Sequence, residues 1–109
     1  MVQRGTDLSV LRRTTSRGDT LILIGELDLG TAAKLRFELR AFVQSIETHG
    51  VIDVSAVGAL DPLLLGELLA ARLSAEERGV SIVVHCTDER VGAWLDASGV
   101  SRIVEVDRG

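Results

Sequence analysis

The chain has 109 residues, 46% of them hydrophobic and 26% charged, with a formal net charge of −4. That length suits one globular domain with a real core and is short for two. Eleven of the twelve basic residues are arginines scattered along the chain, and the aromatics are Phe37, Phe42 and Trp94. Neither a nucleic-acid surface nor a base-stacking platform is expected from them.

No apolar run approaches the length of a membrane span, and Met1 is not followed by a basic-then-apolar leader, so no direct membrane insertion is expected. The single cysteine rules out an internal disulfide, which makes a reducing cytoplasm the expected location.

Strand and helix signals alternate along the chain. Leu8 to Leu11 is a short apolar run, and "RTTSRGD" (13–19) reads as a turn. "TLILIGELD" (20–28) has too little polar alternation for a half-exposed strand, so it predicts a strand covered on both faces or nearly so. Gly30 and Thr31 open a helix, with Thr31 as its N-cap. Ala32, Leu35, Leu39, Phe42, Val43 and Ile46 form one helical stripe, and His49-Gly50 ends it. "VIDV" (51–54) is a second buried strand. The segment "LDPLLLGELLAA" (60–71) starts the next helix, which runs to about Arg78 before Gly79 stops it. "VSIVVHC" (80–86) is a third buried strand. A short helix capped near Thr87 follows, with Val91, Trp94 and Leu95 on its apolar side and Gly99 closing it. "RIVEV" (102–106) is the last strand.

This alternation predicts right-handed crossovers and a mainly parallel sheet of four to five strands, with about three helices. The first strand meets the second across a tight turn, hence antiparallel at an edge. The fold class is α/β, one domain over 1–109, with a core of about 8–106 and residues 1–7 as a flexible lead-in.

Candidate chemistry is sparse. No phosphate-cradling glycine pattern occurs, because Gly25 and Gly30 lack that spacing. His85 and Cys86 are neighbours in a strand and point to opposite faces, so they make no dyad. Cys86 reads as a small core residue, and His49 as a group favoured at a helix C-terminus. Two histidines and one cysteine make a metal site improbable. Asp28 and Asp61 each follow a strand at its carboxyl end, the edge where parallel sheets place their working residues. For catalysis, the plainer roles of turn residue and N-cap are preferred.

"GELDLGTAAKLRFEL" (25–39), "VIDVSAVGALD" (51–61), the strand from Gly79 to Cys86 and "LDASGVSRIVEV" (95–106) resemble the STAS domain. They are most similar to the single-domain bacterial anti-sigma factor antagonists. The resemblance spans roughly residues 8 to 106, and its most specific part is the "G-E-L-D-x-x-T" run. It implies a module that binds a kinase-like anti-sigma factor and is released when that kinase phosphorylates one serine. The family serine lies in an Asp-Ser-Ser/Thr-Gly motif at the start of the second major helix. Laid onto this chain, the Asp is Asp61, the phosphoacceptor position is Pro62, the next hydroxyl is Leu63, and the glycine is Leu64. Leu65 keeps an apolar position, and Gly66 matches a second family glycine. The phosphoacceptor is therefore missing. Ser55, on the preceding strand end, matches a structural family position and is a weak substitute.

Pro62 suits the first helical position, where a missing N–H costs nothing, with Asp61 as N-cap. What it removes is regulation by a charge of about −1.5 to −2. At about 100° per residue, Leu65, Leu68, Leu69 and Leu73 fall on one side of this helix, with Glu67, Ser74 and Arg78 marking the other. Leu63 falls on the polar face with Glu67, and Leu64 on the flank.

The expected partner surface is Asp28, Gly30, Thr31, Asp61, Pro62, Leu63, Leu64 and Glu67. The expected function is a non-enzymatic anti-sigma factor antagonist without the usual switch, needing no cofactor and no metal, and a monomer when free. The alternative is a cytoplasmic STAS subunit that grips the ATPase of an ABC-type lipid transporter.

Overall fold

The computed structural model describes residues 7–109, except the side chains at 59, 60 and 63. The elements in chain order are β1 (Leu8–Thr15), β2 (Gly18–Leu27), a 3-10 turn (Leu29–Thr31), α1 (Ala32–Ser45) and β3 (His49–Leu60). After these come α2 (Leu63–Arg78), β4 (Ser81–His85), α3 (Glu89–Ser98), a second 3-10 turn (Val100–Arg102) and β5 (Glu105–Asp107). The five strands lie in sequence order, with β1–β2 antiparallel and the other pairs parallel. Each right-handed crossover steps the same way, which puts all three helices on one face of the sheet.

That face is the core. Leu21 of β2 pairs with Ile52 of β3, which pairs with Val84 of β4. This row and its neighbours Leu23 and Val54 pack against Leu35, Leu39, Phe42 and Val43 of α1. Leu64, Leu68, Ala71 and Ala75 of α2, with Val91 and Leu95 of α3, complete the cluster.

Several boundaries differ from the sequence reading. Strand pairing carries β1 on to Thr15, so only Ser16 and Arg17 form the turn. α1 stops at Ser45, and His49 and Gly50 belong to β3 because they pair with Ser81 and Ile82 of β4. Gly50 lies against the Phe42 ring, which leaves no room for a side chain there. Asp88 caps α3 in place of Thr87, its carboxylate accepting the Val91 N–H at 3.0 Å. The last strand begins at Glu105, since Val100–Arg102 is spent on a 3-10 turn.

α2 buries a different stripe from the one expected. Leu64, Leu68, Ala71 and Ala75 face the core, while Leu69 and Leu73 are exposed and Leu65 is half-buried. The packing partners turn the helix so that two alanines take core positions, where α2 comes close to the sheet and α1. The expected flexible lead-in falls on residues 1–6, outside the described residues, and on Asp7. Asp7 is held: its carbonyl accepts the Glu26 N–H at 2.9 Å. Gly25 has φ +121 beside this contact, and a side chain on it would collide with the Asp7 carbonyl.

Candidate interaction site

The carboxyl edge of the sheet is built from the ends of β2 and β3. They are tied together by the Asp61 N–H, which donates to the Leu27 carbonyl at 2.9 Å. Asp28 and Asp61 therefore sit on neighbouring strand ends, as their sequence positions require. Their surroundings differ.

At Asp28 the polar groups bond one another. The Asp28 carboxylate accepts the Thr31 N–H at 3.2 Å. The Thr31 hydroxyl accepts the Asp28 N–H at 3.1 Å and donates to the Glu26 carbonyl at 2.8 Å. This is a reciprocal capping box around a 3-10 turn. Thr31 is therefore not the side-chain cap of α1, which it was expected to be, and makes no cap bond there. It is buried, its hydroxyl committed to the turn. Gly30 is exposed, and Leu29 beside it is 76% exposed, the most open large hydrophobic of the described residues. Sequence reasoning passed over Leu29. Its signal was an apolar residue inside a capping box, where both chain directions are already fixed.

The start of α2 is different. Pro62 is exposed and is itself the N-cap of α2, with helical dihedrals φ −52 and ψ −20, so Asp61 is not the N-cap it was expected to be and Leu63 takes the first helical position. The turn closes through the Leu64 N–H to the Asp61 carbonyl at 2.9 Å and the Leu65 N–H to the Pro62 carbonyl at 3.1 Å. Leu64 is 1% exposed. It belongs to the core, not to the flank or an outer contact surface, because the helix turns its second residue inward. The Leu63 side chain, expected on the polar face, lies outside the described residues.

Glu67 points toward α1. Its Oε2 lies 2.9 Å from Nη2 of Arg36 and 3.2 Å from Nε, a forked pairing. The Glu67 side chain is only 12% exposed. Glu67 raises the Arg36 pKa further, first by its hydrogen bond and then by its charge. Beyond the pair lies a notch of about 100 Å³ between α1 and α2, lined by Leu39, Arg40, Ala71 and Ser74 among others. Arg36 was not among the expected site residues, since nothing local marks a partner 31 positions away.

Reactive groups are few at this edge. The Ser55 hydroxyl accepts the Thr87 N–H at 2.9 Å. Cys86 is fully buried, and burial pushes its thiol up, away from a reactive thiolate. His85 lies on the opposite face, 3.2 Å from Asp107. Among the described residues no group of His, Cys, Asp and Glu is arranged to hold a metal ion, and no helix is long and apolar enough to cross a membrane. The arrangement offers shape, backbone and fixed charge.

A family model described as "Mlab, STAS domain" matches residues 10–105. A comparison with curated protein sequences gives no match. Among solved structures, the chain is similar to an anti-sigma factor antagonist from Mycobacterium paratuberculosis. The TM-score is 0.83 at 19% identity, covering 99% of this chain and 92% of that one. It is also similar to the anti-sigma factor antagonist SpoIIAA in its unphosphorylated form, with TM-score 0.67, 16% identity, and 90% and 87% coverage. A variant of Moorella thermoacetica RsbS gives TM-score 0.64 at 20% identity, covering 92% and 86%.

Proposed function

Because the chain belongs to the STAS family, we propose that it is a non-enzymatic interaction module, an anti-sigma factor antagonist that no phosphorylation at the start of α2 releases. Its partner is an anti-sigma factor of the serine-kinase-like type. The contact surface is the carboxyl edge of the sheet, with Asp28, Gly30, Asp61, Pro62, Leu63 and Glu67 as contributors. Leu64 and Thr31 support this surface from within, since both are buried.

One observation carries the reading: an exposed helix start at the sheet edge is occupied by Pro62, and positions 61–66 hold no Ser or Thr. A surface without an acceptor hydroxyl can bind a kinase-like protein and stay bound.

The experiment is incubation with serine kinases of the anti-sigma type and ATP, followed by intact-mass measurement and peptide mapping. No phosphate is expected on residues 55–66, and a phosphopeptide there would overturn the claim. Pro62→Ser alone is expected to remain unphosphorylated, since Leu63 and Leu64 still replace small residues.

The family model's description names a Mlab STAS domain, and this favours a second reading, an STAS subunit bound to the ATPase of an ABC-type lipid transporter. Co-purification of the native protein separates the two. A kinase-like anti-sigma factor in the complex supports the first reading, and a transporter ATPase supports the second.

A further inference from the structure

Parallel strands made of unbroken aliphatic runs are normally covered on both faces, and Leu21–Ile24 is such a run. The chain covers only one face, since α1, α2 and α3 all pack on the cluster containing Leu21, Leu23, Ile52, Val54 and Val84. The other face carries the alternate residues. Across it, Leu11 of β1 pairs with Ile22 of β2, Ile22 with Asp53 of β3, and Ile24 with Ala56. Leu11 is 40% exposed and Ile24 38%.

Toward β5 this face is polar, a groove lined by Arg17, His49, Glu105 and Asp107 among others. The Arg17 Nε donates to Asp107 Oδ2 at 3.0 Å, and His85 Nδ1 lies 3.2 Å from the same oxygen. Val51, on the same face, is 2% exposed. The exposed large hydrophobics of this face, Leu11 and Ile24, lie on β1 and β2.

Arg13 and Asp53 flank this surface, and Glu26 follows Ile24 along β2 at its carboxyl end. Arg13 of β1 is exposed, and its side chain makes no hydrogen bond or ion pair among the described residues. Asp53 of β3 accepts the Ser55 N–H at 2.8 Å and meets no cation there. Arg13 stands in the row of Thr20 and Val51, next to the row of Leu11, Ile22 and Asp53.

We propose that this face is an interface between two copies of the chain, packed sheet on sheet about a two-fold axis along β2. Such an axis lays Ile22 and Ile24 over the same residues of the second copy and places β1 over its β3. Each Arg13 then stands diagonally across from Asp53 of the second copy, within the reach of an arginine side chain. The surface is self-complementary: an apolar centre with one cation on one side and one anion on the other. The net negative charge opposes association, so the dimer forms as concentration rises and the dilute protein is a monomer. The proposal does not depend on which partner binds at the start of α2, a different part of the molecule.

Sedimentation equilibrium from micromolar to millimolar protein tests it. The expected result is a monomer–dimer equilibrium that Arg13→Glu and Asp53→Lys each weaken by about tenfold or more, and that the double charge swap restores. A monomer at every concentration overturns the proposal, as does a dimer indifferent to both changes or a folded double variant that stays dissociated. Thermal melts establish folding. If Asp53→Lys does not fold, Ile24→Lys at its exposed position decides instead. Loss of the dimer with an unchanged melting temperature supports the interface, and a retained dimer overturns it.

Discussion

Two helices start side by side at the carboxyl edge of the sheet, and they start by opposite means. Before α1, Asp28 and Thr31 exchange hydrogen bonds in a closed polar box. α2 follows a proline at its N-cap and sends its second residue, Leu64, into the core. The first start is fixed by polar groups that need each other. The second is fixed by backbone geometry and apolar burial, which leaves its outer surface free to vary. The outer side chains of such a start are set less tightly by the fold than those of the polar box.

The largest effect should come from the apolar start. Leu64→Ala leaves a cavity in the core and is expected to cost about 2–5 kcal/mol. The half-buried Leu65 should cost clearly less on the same truncation. Denaturant unfolding followed by Trp94 fluorescence measures both. Equal losses would show that the two leucines share the core and that the inward turn at Leu64 is misplaced.

The polar start should respond next. Thr31→Val keeps the shape of the side chain but strands the Glu26 carbonyl and the Asp28 N–H. An expected loss of about 1–3 kcal/mol follows from leaving buried groups unpaired. Thr31→Ser should recover much of it. Pro62→Ala, in contrast, should cost under about 1 kcal/mol, chiefly through a more flexible unfolded chain. If Pro62→Ala proved the more damaging, the contrast between the two starts would be reversed.

Smaller still is the expected stability change for Leu63→Asp, within about 0.5 kcal/mol as for most surface positions. Helical spacing puts Leu63 on the polar face, and an acid in the first turn suits the helix dipole. Binding should nevertheless weaken by about 1 kcal/mol or more if Leu63 lies in the centre of the interface. Titration against the co-purified partner measures this, and normal binding removes Leu63 from the contact surface.

The smallest effect should be that of a half-buried charge far from both starts, a reference for the others. The Gly109 N–H and then Arg17 hold the Asp107 carboxyl below its ordinary value of 3.8. A pKa lowered by folding gives stability that is present above the ordinary value and lost as pH falls through the lowered one. Acid titrations of stability should show a slight loss below about pH 4 that is absent in Asp107→Asn. A rise in stability on acidification that depends on Asp107 would contradict that direction.

Much of the architecture was legible in the residues. Alternating aliphatic runs and helical stripes predict the order of strands and helices, because burial periodicity is a local property of the chain. The antiparallel first pair follows from a turn too short for a crossover, and Asp28 and Asp61 fall at strand ends by position alone. The absence of an acceptor hydroxyl at Pro62 is also a plain fact of sequence.

What the sequence by itself could not decide was rotation and partnership. Leu64 and Leu65 are adjacent leucines, about 100° apart on a helix, and only the approach of α1 and the sheet selects which of them is buried. Thr31 lies in a G-E-L-D-x-x-T run that reads as a helix cap, yet its hydroxyl closes the preceding turn because Glu26 and Asp28 are brought within reach. Arg36 and Glu67 meet across two helices. The aliphatic strands announced burial on two faces, but only the one-sided placement of the helices shows that the chain covers one of them. Each of these depends on distances between segments remote in sequence, which local propensity does not encode.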